Sequence, residues 1–354
     1  MIDYDQDFKE LLIQVPKEGA SDLHIDVGKH PTLRIDGMLY PLVKKPVLSP
    51  KDAEGLVMAI LTPGQKETLQ REKEIDFSYS LGDKIRFRVN VFYQKGYLGA
   101  AFRSIPLEIK TLRDLNLPES LYRFIKKEQG FFLVVGPTGH GKSTTLASMV
   151  NTINQERAEV IITIEDPIEY LFTQDKSIIS QREIKIDTKD FGSALKSMFR
   201  QDINVAMIGE MRDYETMSAA VTAAETGHLI LSSLHTNNAA QTINRIIDNF
   251  PPVGQNQIRA QLSASLLGIF SQRLIPRIGG GLIPAYELLI ANTAVRNLIR
   301  ENRVHEIDIV IETSSGEGMV SLNQSLIDLV SRGEITMENA LNYSLFPEEL
   351  RNRL

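Results

Sequence analysis

The stretch 136–144 reads GPTGHGKST and matches the phosphate-binding pattern G-x-x-x-x-G-K-[ST]. Gly136, Gly141, Lys142 and Ser143 occupy the defining positions. Glycines let the backbone N–H groups of such a loop turn towards phosphate oxygens, and the positive end of the following helix adds to the attraction. The pattern therefore predicts a nucleoside triphosphate site, with Lys142 reaching the β- and γ-phosphates and the Ser143 hydroxyl binding Mg²⁺.

The sequence on both sides of this loop has the expected strand–loop–helix order. The apolar run FFLVV (131–135) precedes it, and the segment after it places four apolar residues on one helical face, Leu146, Met149, Val150 and Ile153. A chance match in a glycine-rich turn would not have both flanks. We therefore expect the whole loop to contact the nucleotide: Gly136, Pro137, Thr138, Gly139, His140, Gly141, Lys142, Ser143 and Thr144.

From about residue 119 onward, apolar strands alternate with helices. After the loop, strands are predicted at VIITIE (160–165), NVAMIG (204–209) and HLILSSL (228–234). This alternation is typical of a parallel sheet covered by helices on both faces. From about residue 255 the chain is predicted to be mostly helical, and SASLLGIF (263–270) has the length of a core helix.

Three groups of polar residues end three of these strands. IEDPIEY (164–170) supplies Glu165, Asp166 and Glu169, GEMRD (209–213) supplies Glu210, and LHTN (234–237) supplies His235. Each group alone could be a solvated strand-to-helix loop. Because the carboxyl ends of adjacent parallel strands meet at one edge of a sheet, we expect all three groups to face the phosphate loop.

Residues 1–106 are predicted to form a smaller mixed α/β domain, 107–118 an interdomain linker, and 119–354 the second domain. In the strand IRFRVNVF (85–92), Arg86 and Arg88 alternate with apolar residues, and a further strand carries Arg103. Taken alone, this row of arginines is compatible with a solvated sheet face. The linker is assigned from its prolines and its lack of a clear period.

Bulk composition excludes several classes of protein. The 354-residue chain is 42% hydrophobic, carries a net charge of −6 and contains no cysteine. It therefore has no disulfide, thiolate zinc site or cysteine nucleophile, and its charge gives no sign of a nucleic-acid partner. No uncharged apolar run approaches the ~18 residues that cross a bilayer, so a role at a membrane would be through a partner.

The ordered set GPTGHGKSTT, IEDPIEY, IGEMRD, AAETGHL and LHTN resembles the secretion-ATPase superfamily of RecA-like motors, which drive type IV pili and type II secretion. TAVRNLIRE (293–301) resembles a carboxyl-terminal element of the pilus-retraction branch, with Val295 in place of isoleucine. EGASDLHI and RFRVNVF resemble the amino-terminal domain of that branch. SQRL (271–274) is not followed by the tetracysteine insert of many extension and secretion motors, which also favours retraction.

The resemblance implies roles for the polar residues. Glu210 would act at Mg²⁺, and Glu169 would be the base that orients the attacking water, with the choice between these two glutamates left open. Glu165 and Asp166 would support Glu169, and His235 would sense the γ-phosphate. Arg88 and Arg103 would reach the phosphates as the domains close. Hydrolysis would then drive a hinge motion about residues 107–118.

The implied fold is α/β, a RecA-like P-loop NTPase domain with a PAS-like amino-terminal domain. The implied function is an ATP- and Mg²⁺-dependent homo-hexameric motor for pilus retraction. It would be cytoplasmic and peripheral at the inner membrane, where it would act on the pilus platform protein. Three alternatives stay open: a pilus-extension or secretion motor of the same superfamily, a phosphoryl transferase on the same loop, and a slow nucleotide-dependent switch.

Overall fold

The computed structural model describes residues 4–35, 37–82, 85–105 and 108–353. The chain divides into two compact units. The first unit consists of Met1–Glu108 with Pro167–Leu171, and the second consists of Ile109–Asp166 with Phe172–Leu354. Residue 107, where the predicted linker begins, lies outside the described ranges.

The first unit combines an antiparallel sheet with helices. Its strands are β1 (Asp22–Ile25), β2 (Thr32–Ile35), β3 (Met38–Pro41), β4 (Glu74–Leu81), β5 (Ile85–Gln94) and β6 (Tyr97–Ile105). Its helices are α1 (Tyr4–Lys17), α2 (Pro50–Ile60) and α3 (Pro63–Glu72). The strand order is β3-β2-β1-β6-β5-β4.

Local sequence explains several of these elements. The helices α2 and α3 each begin with a capping box, in which Ser49 and Thr62 accept a hydrogen bond from the third helical residue. On β5, Phe87, Val89 and Val91 are fully buried as the alternation predicts. The helix α1, which the sequence analysis did not include, packs its own apolar face into the same core.

The second unit contains a sheet flanked by helices. Its strands are β7 (Gly130–Val135), β8 (Val160–Glu165), β9 (Ile178–Glu183), β10 (Val205–Ile208), β11 (Leu229–Leu234), β12 (Leu266–Pro276) and β13 (Leu282–Ile290). Its first helices are α4 (Tyr122–Ile125), α5 (Lys142–Glu156), α6 (Phe191–Met198), α7 (Tyr214–Glu225), α8 (Ala239–Asp248) and α9 (Gln255–Ser265). The last helices are α10 (Thr293–Arg300), α11 (Ile307–Thr313), α12 (Leu322–Ser331), α13 (Met337–Tyr343) and α14 (Pro347–Arg353). Short 3₁₀ turns lie at Glu119–Leu121, Pro252–Gly254, Val304–Glu306 and Ser315–Glu317.

The order of this sheet is β13-β12-β7-β11-β10-β8-β9. The strands β7, β11, β10 and β8 are adjacent and parallel, with every residue of β7, β11 and β10 buried. The carboxyl ends of these strands therefore share one edge, as the sequence predicts. The phosphate loop follows β7, and the segments with His235, Glu210 and Asp166 follow the other three strands.

The prediction of a helical segment over 263–270 is wrong, because α9 ends at Ser265 and β12 begins at Leu266. Both β12 and β13 extend the sheet within a tail that was expected to be mostly helical. A short buried apolar run has no period that separates strand from helix. Gly268 permits the close approach of β13, since a Cβ at this position would lie 2.6 Å from the Leu289 carbonyl oxygen.

Candidate nucleotide-binding site

The phosphate loop joins β7 to α5 through a backbone that needs glycine. Gly136, Gly139 and Gly141 have φ values of +145°, +80° and +80°, which residues with a side chain rarely adopt. At Gly136 a Cβ would also lie 2.4 Å from the backbone oxygen of Gln272. The loop thus has the curled form that turns N–H groups inward at the start of a helix.

Lys142, the first residue of α5, is buried against this loop. Its Nζ donates to the carbonyl oxygens of Gly136 and Pro137, both at 3.0 Å. A buried ammonium requires such partners, and they hold the positive charge inside the curve of the loop. Phosphate oxygens are the acceptors that this buried cation and the surrounding glycine backbone fit best, so the residues present suit a nucleotide.

His235 follows β11 and contacts the loop on one side and Glu210 on the other. Its Nδ1 is 3.2 Å from Thr138 Oγ1 and 3.4 Å from Lys142 Nζ. Its Nε2 is 3.5 Å from Glu210 Oε2. Because an ammonium group only donates, Nδ1 acts as the acceptor, which assigns the ring proton to Nε2, facing the carboxylate. The imidazole therefore connects the loop lysine to the Glu210 carboxylate.

Glu210 follows β10, and its carboxylate is mostly buried, with 15% of the side chain exposed. Arg212 forms an ion pair with its second oxygen. The turn before it is fixed on both sides, because the Gly209 N–H donates to the Ile164 oxygen and Ser233 Oγ donates to the Gly209 oxygen. A carboxylate here and the exposed Ser143 hydroxyl at the start of α5 are hard oxygen donors, the chemistry that suits Mg²⁺.

Glu165 lies at the end of β8 and is buried. One of its oxygens accepts hydrogen bonds from Thr163 Oγ1 at 2.6 Å and from Gln181 Nε2 at 3.3 Å. These contacts hold the Glu165 carboxylate between β8 and β9. Asp166, the next residue, is exposed.

The remaining predicted site residues group in the first unit. Glu169 belongs to the segment Pro167–Leu171, and its Oε1 is 3.8 Å from Arg88 Nη1. Arg88 also donates to Asp76 at 2.8 Å. Arg103 lies directly opposite Arg88 in the β5–β6 ladder and donates from Nε to Asp22 at 3.0 Å. Their joint action on one nucleotide with Lys142 stays a prediction.

Sequence reasoning missed Gln272, a fully buried amide on β12 that contacts the phosphate loop. Its Nε2 donates to the His140 carbonyl oxygen at 2.6 Å, and its Oε1 accepts from Thr145 Oγ1 at 2.6 Å. A single glutamine in a strand has no pattern that signals this role. The sequence feature that could have indicated it is the SQRL element, because polar residues are unusual in a buried strand.

Comparison with known proteins shows which family this chain belongs to. Residues 5–306 match the family described as type II/IV secretion system protein. The chain is 42% identical to a type IV pilus retraction ATPase, PilT, of Pseudomonas aeruginosa, covering 97% of this chain and 99% of that protein. It is also 42% identical to a twitching motility protein of Neisseria gonorrhoeae, covering 88% of this chain and 83% of that one.

A solved structure shows the same similarity. The crystal structure of the pilus retraction motor PilT with bound ADP superposes with a TM-score of 0.91 at 46% identity, covering 97% of this chain and 98% of that chain. The fold therefore agrees with the predicted α/β architecture, an amino-terminal domain and a RecA-like ATPase domain. With its phosphate loop and the three strand-end segments at one sheet edge, the chain belongs to the type II/IV secretion system protein family.

Proposed function

We propose that this chain is a magnesium-dependent ATPase that powers retraction of type IV pili. The contact series from Lys142 through His235 to Glu210 carries the proposal, because it places a cation, an imidazole and a carboxylate next to one phosphate loop. The relatives named above, a pilus retraction ATPase and a twitching motility protein, support the biological role.

In this proposal the loop binds the triphosphate through its backbone N–H groups and Lys142. Ser143 and Glu210 hold Mg²⁺, which supplies Lewis-acid stabilisation of the charge on the phosphate oxygens. His235 responds to the γ-phosphate, because its Nδ1 faces the same lysine that the phosphate would engage. Loss of that phosphate returns Lys142 to the loop carbonyls and changes the hydrogen bonds of His235.

Glu169 is the proposed base that orients the attacking water, and Arg88 and Arg103 are the proposed phosphate-contacting arginines. Arginines that stabilise the phosphoryl group during its transfer raise kcat by about 10³–10⁵-fold in phosphoryl-transfer enzymes. In the first unit, an ion pair joins the proposed base, Glu169, to one of these arginines, Arg88. The proposed mechanical step is a hinge motion about residues 107–118, driven by the release of phosphate.

The proposed assembly is a homo-hexamer that acts on an inner-membrane platform protein from the cytoplasmic side. Within the described residues, no helix has the length and apolar character needed to span a bilayer. The proposed attachment to the membrane is therefore through the platform protein. The proposals of a hexamer and of a platform protein as partner both rest on the family resemblance.

Two measurements test this function. Native mass determination with and without a non-hydrolysable ATP analogue, combined with phosphate release, is expected to give a hexamer that releases phosphate to water. Transfer of the γ-phosphate to an acceptor would instead indicate a phosphoryl transferase. Deletion of the gene is expected to abolish twitching and leave surplus surface pili, whereas bald cells would indicate an extension motor.

A further inference from the structure

Strand β12 lies beside β7 in the sheet, and its SQRL segment contacts two loops of the site. Successive side chains of a strand point to opposite faces. Gln272 and Leu274 contact the phosphate loop, whereas Ser271 and Arg273 contact the loop that carries His235. The two nucleotide loops are therefore held by alternate residues of one strand.

On the phosphate-loop side, Gln272 contacts both ends of the loop. Its amide nitrogen donates to the His140 oxygen within the loop, and its amide oxygen accepts from Thr145 in the first turn of α5, each at 2.6 Å. The backbone oxygen of Gln272 lies against Gly136 at the start of the loop, which leaves no room for a Cβ. One residue therefore approaches the start of the loop closely and forms hydrogen bonds near its end.

A second contact strengthens this arrangement. The Leu274 N–H donates to His140 Nδ1 at 2.9 Å, so Nδ1 must be unprotonated. Burial, together with the nearby Arg273 and Lys142, lowers the pKa of His140 and keeps the ring neutral near pH 7. His140 therefore accepts through both its carbonyl oxygen and its ring.

On the other face, Ser271 Oγ donates to the Asn237 oxygen at 2.9 Å, and Arg273 Nη2 is 3.4 Å from Asn237 Oδ1. The adjacent strand β13 contributes Glu287, which accepts the N–H of Ala239 at 2.7 Å. β12 thus holds Asn237 in the segment that follows His235, and β13 holds Ala239, the first residue of α8.

We propose that Gln272 is a positioning residue for nucleotide binding, which holds the phosphate loop in its binding conformation against the same strand that holds the His235 loop. The proposal rests on the proposed function, since it assigns a role within the ATP site. Gln272 itself acts through the loop, because its amide is already satisfied by His140 and Thr145.

Loss of the Gln272 amide would leave the buried Thr145 hydroxyl and the His140 oxygen without these partners. The loop would then populate other conformations, and the apparent affinity for nucleotide falls in proportion to the fraction that remains competent. Bound ATP orders the loop through its own phosphate contacts. Affinity should therefore suffer more than the rate of the bound complex.

The test compares Gln272→Leu with the matched control Asn323→Leu. Asn323 is also a buried amide that bridges a hydroxyl and a carbonyl, accepting from Ser344 Oγ at 2.6 Å and donating to the Phe346 oxygen at 3.2 Å. It lies on α12, outside the strand β12 that contacts the phosphate loop. Each variant loses a buried amide with one donated and one accepted hydrogen bond. The control therefore measures how much the loss of such an amide destabilises the fold.

For Gln272→Leu we expect the Kd for ADP, measured by calorimetry, and the KM for ATP to rise together by about tenfold, with kcat within about threefold of the wild type. Asn323→Leu should lower Tm to a similar extent without changing the Kd. Thr145→Val removes only one of the two hydrogen bonds and should raise the Kd by a smaller factor. It provides the readout if Gln272→Leu does not fold.

A Kd for ADP within twofold of the wild type in the folded Gln272 variant, or in Thr145→Val if Gln272→Leu does not fold, overturns the proposal. So does an equal change of Kd in Asn323→Leu. Failure of the proposed function has a different result, because the wild-type chain itself would then neither bind ADP nor release phosphate from ATP.

Discussion

His235 and Glu210 lie at the ends of adjacent parallel strands, with Nε2 of the imidazole 3.5 Å from Oε2 of the carboxylate. The other ring nitrogen faces Lys142. An imidazole in this position can report a change at the lysine to the carboxylate that is proposed to act at Mg²⁺. This relationship makes His235 the first residue to test.

Replacement of His235 by alanine is expected to lower kcat for ATP hydrolysis by about 100-fold, a loss typical of one electrostatic or proton-transfer group. ADP lacks the γ-phosphate, so its Kd should change much less. The control is His305→Ala, since that side chain is 77% exposed. An unchanged kcat in the His235 variant would remove this residue from the mechanism.

The two candidate carboxylates can be separated by isosteric amides. Glu169→Gln is expected to lower kcat by about 10²–10⁴-fold with an unchanged Mg²⁺ requirement, because the water loses its base. Glu210→Gln is expected to raise the Mg²⁺ concentration needed for half-maximal rate. Glu156→Gln, at the exposed end of α5, serves as the control. The reverse pattern in Mg²⁺ titrations of phosphate release would exchange the two roles.

A methyl group at Gly136 should disrupt the phosphate loop. In Gly136→Ala the Cβ would lie 2.4 Å from the Gln272 oxygen, at a φ of +145° that strains any residue other than glycine. Backbone strain of this kind costs about 1–3 kcal/mol, and the loop must also move away from β12. We expect the Kd for ADP to rise more than about tenfold.

Gly279→Ala is the control for that measurement. A Cβ at Gly279 would meet nothing within 4 Å, and its φ lies outside the positive range. If both variants bind ADP as tightly as the wild type, the close approach of β12 to the loop has no effect on binding.

The buried Glu287 should make stability depend on pH. Burial raises its pKa from the ordinary 4.5 to about 7. The hydrogen bond from Ala239 and the charge of Arg273 lower the pKa, and the charge of Asp308 raises it further. The folded state therefore binds more protons than the unfolded state between these values, and this contribution to stability is lost as the pH rises through about 7.

Glu287→Gln keeps an acceptor for Ala239 without the charge. Above pH 7 the variant should be more stable than the wild type by up to about 3 kcal/mol, and below pH 4.5 the difference should vanish. Urea unfolding at pH 4 and pH 8 measures both. The exposed control Glu338→Gln should keep the wild-type dependence. A difference that does not change with pH would contradict the prediction.

The phosphate loop and the strands that lead to the site were predictable because each strand is a buried apolar run that ends in a recognisable segment. Parallel strands covered on both faces require continuous apolar residues, as in Val205–Ile208. The position of His235 beside Lys142 then followed from the geometry of one sheet edge.

The parts that sequence reasoning missed depend on long-range contacts. Gln272 is 127 residues from Thr145 and 132 residues from His140, and no local pattern encodes such pairs. The apolar pattern that would predict the strand β9 is weak, because even its first residue, Ile178, is 60% exposed. A strand such as β12, which lies between β7 and β13, is decided by its neighbours more than by its own propensity.

Two guanidinium groups, those of Arg88 and Arg103, are direct cross-strand partners on one sheet face. Like charges in this arrangement lower sheet stability by up to about 1 kcal/mol, and the contacts of Arg88 with Asp76 and Glu169 and of Arg103 with Asp22 act against this repulsion. Selection for folding alone would favour a neutral residue at one position. A selection for thermal stability alone, with all substitutions allowed, should therefore replace one of the two arginines. If both arginines remain, the requirement for ATP turnover, and not for folding, keeps the two like charges side by side.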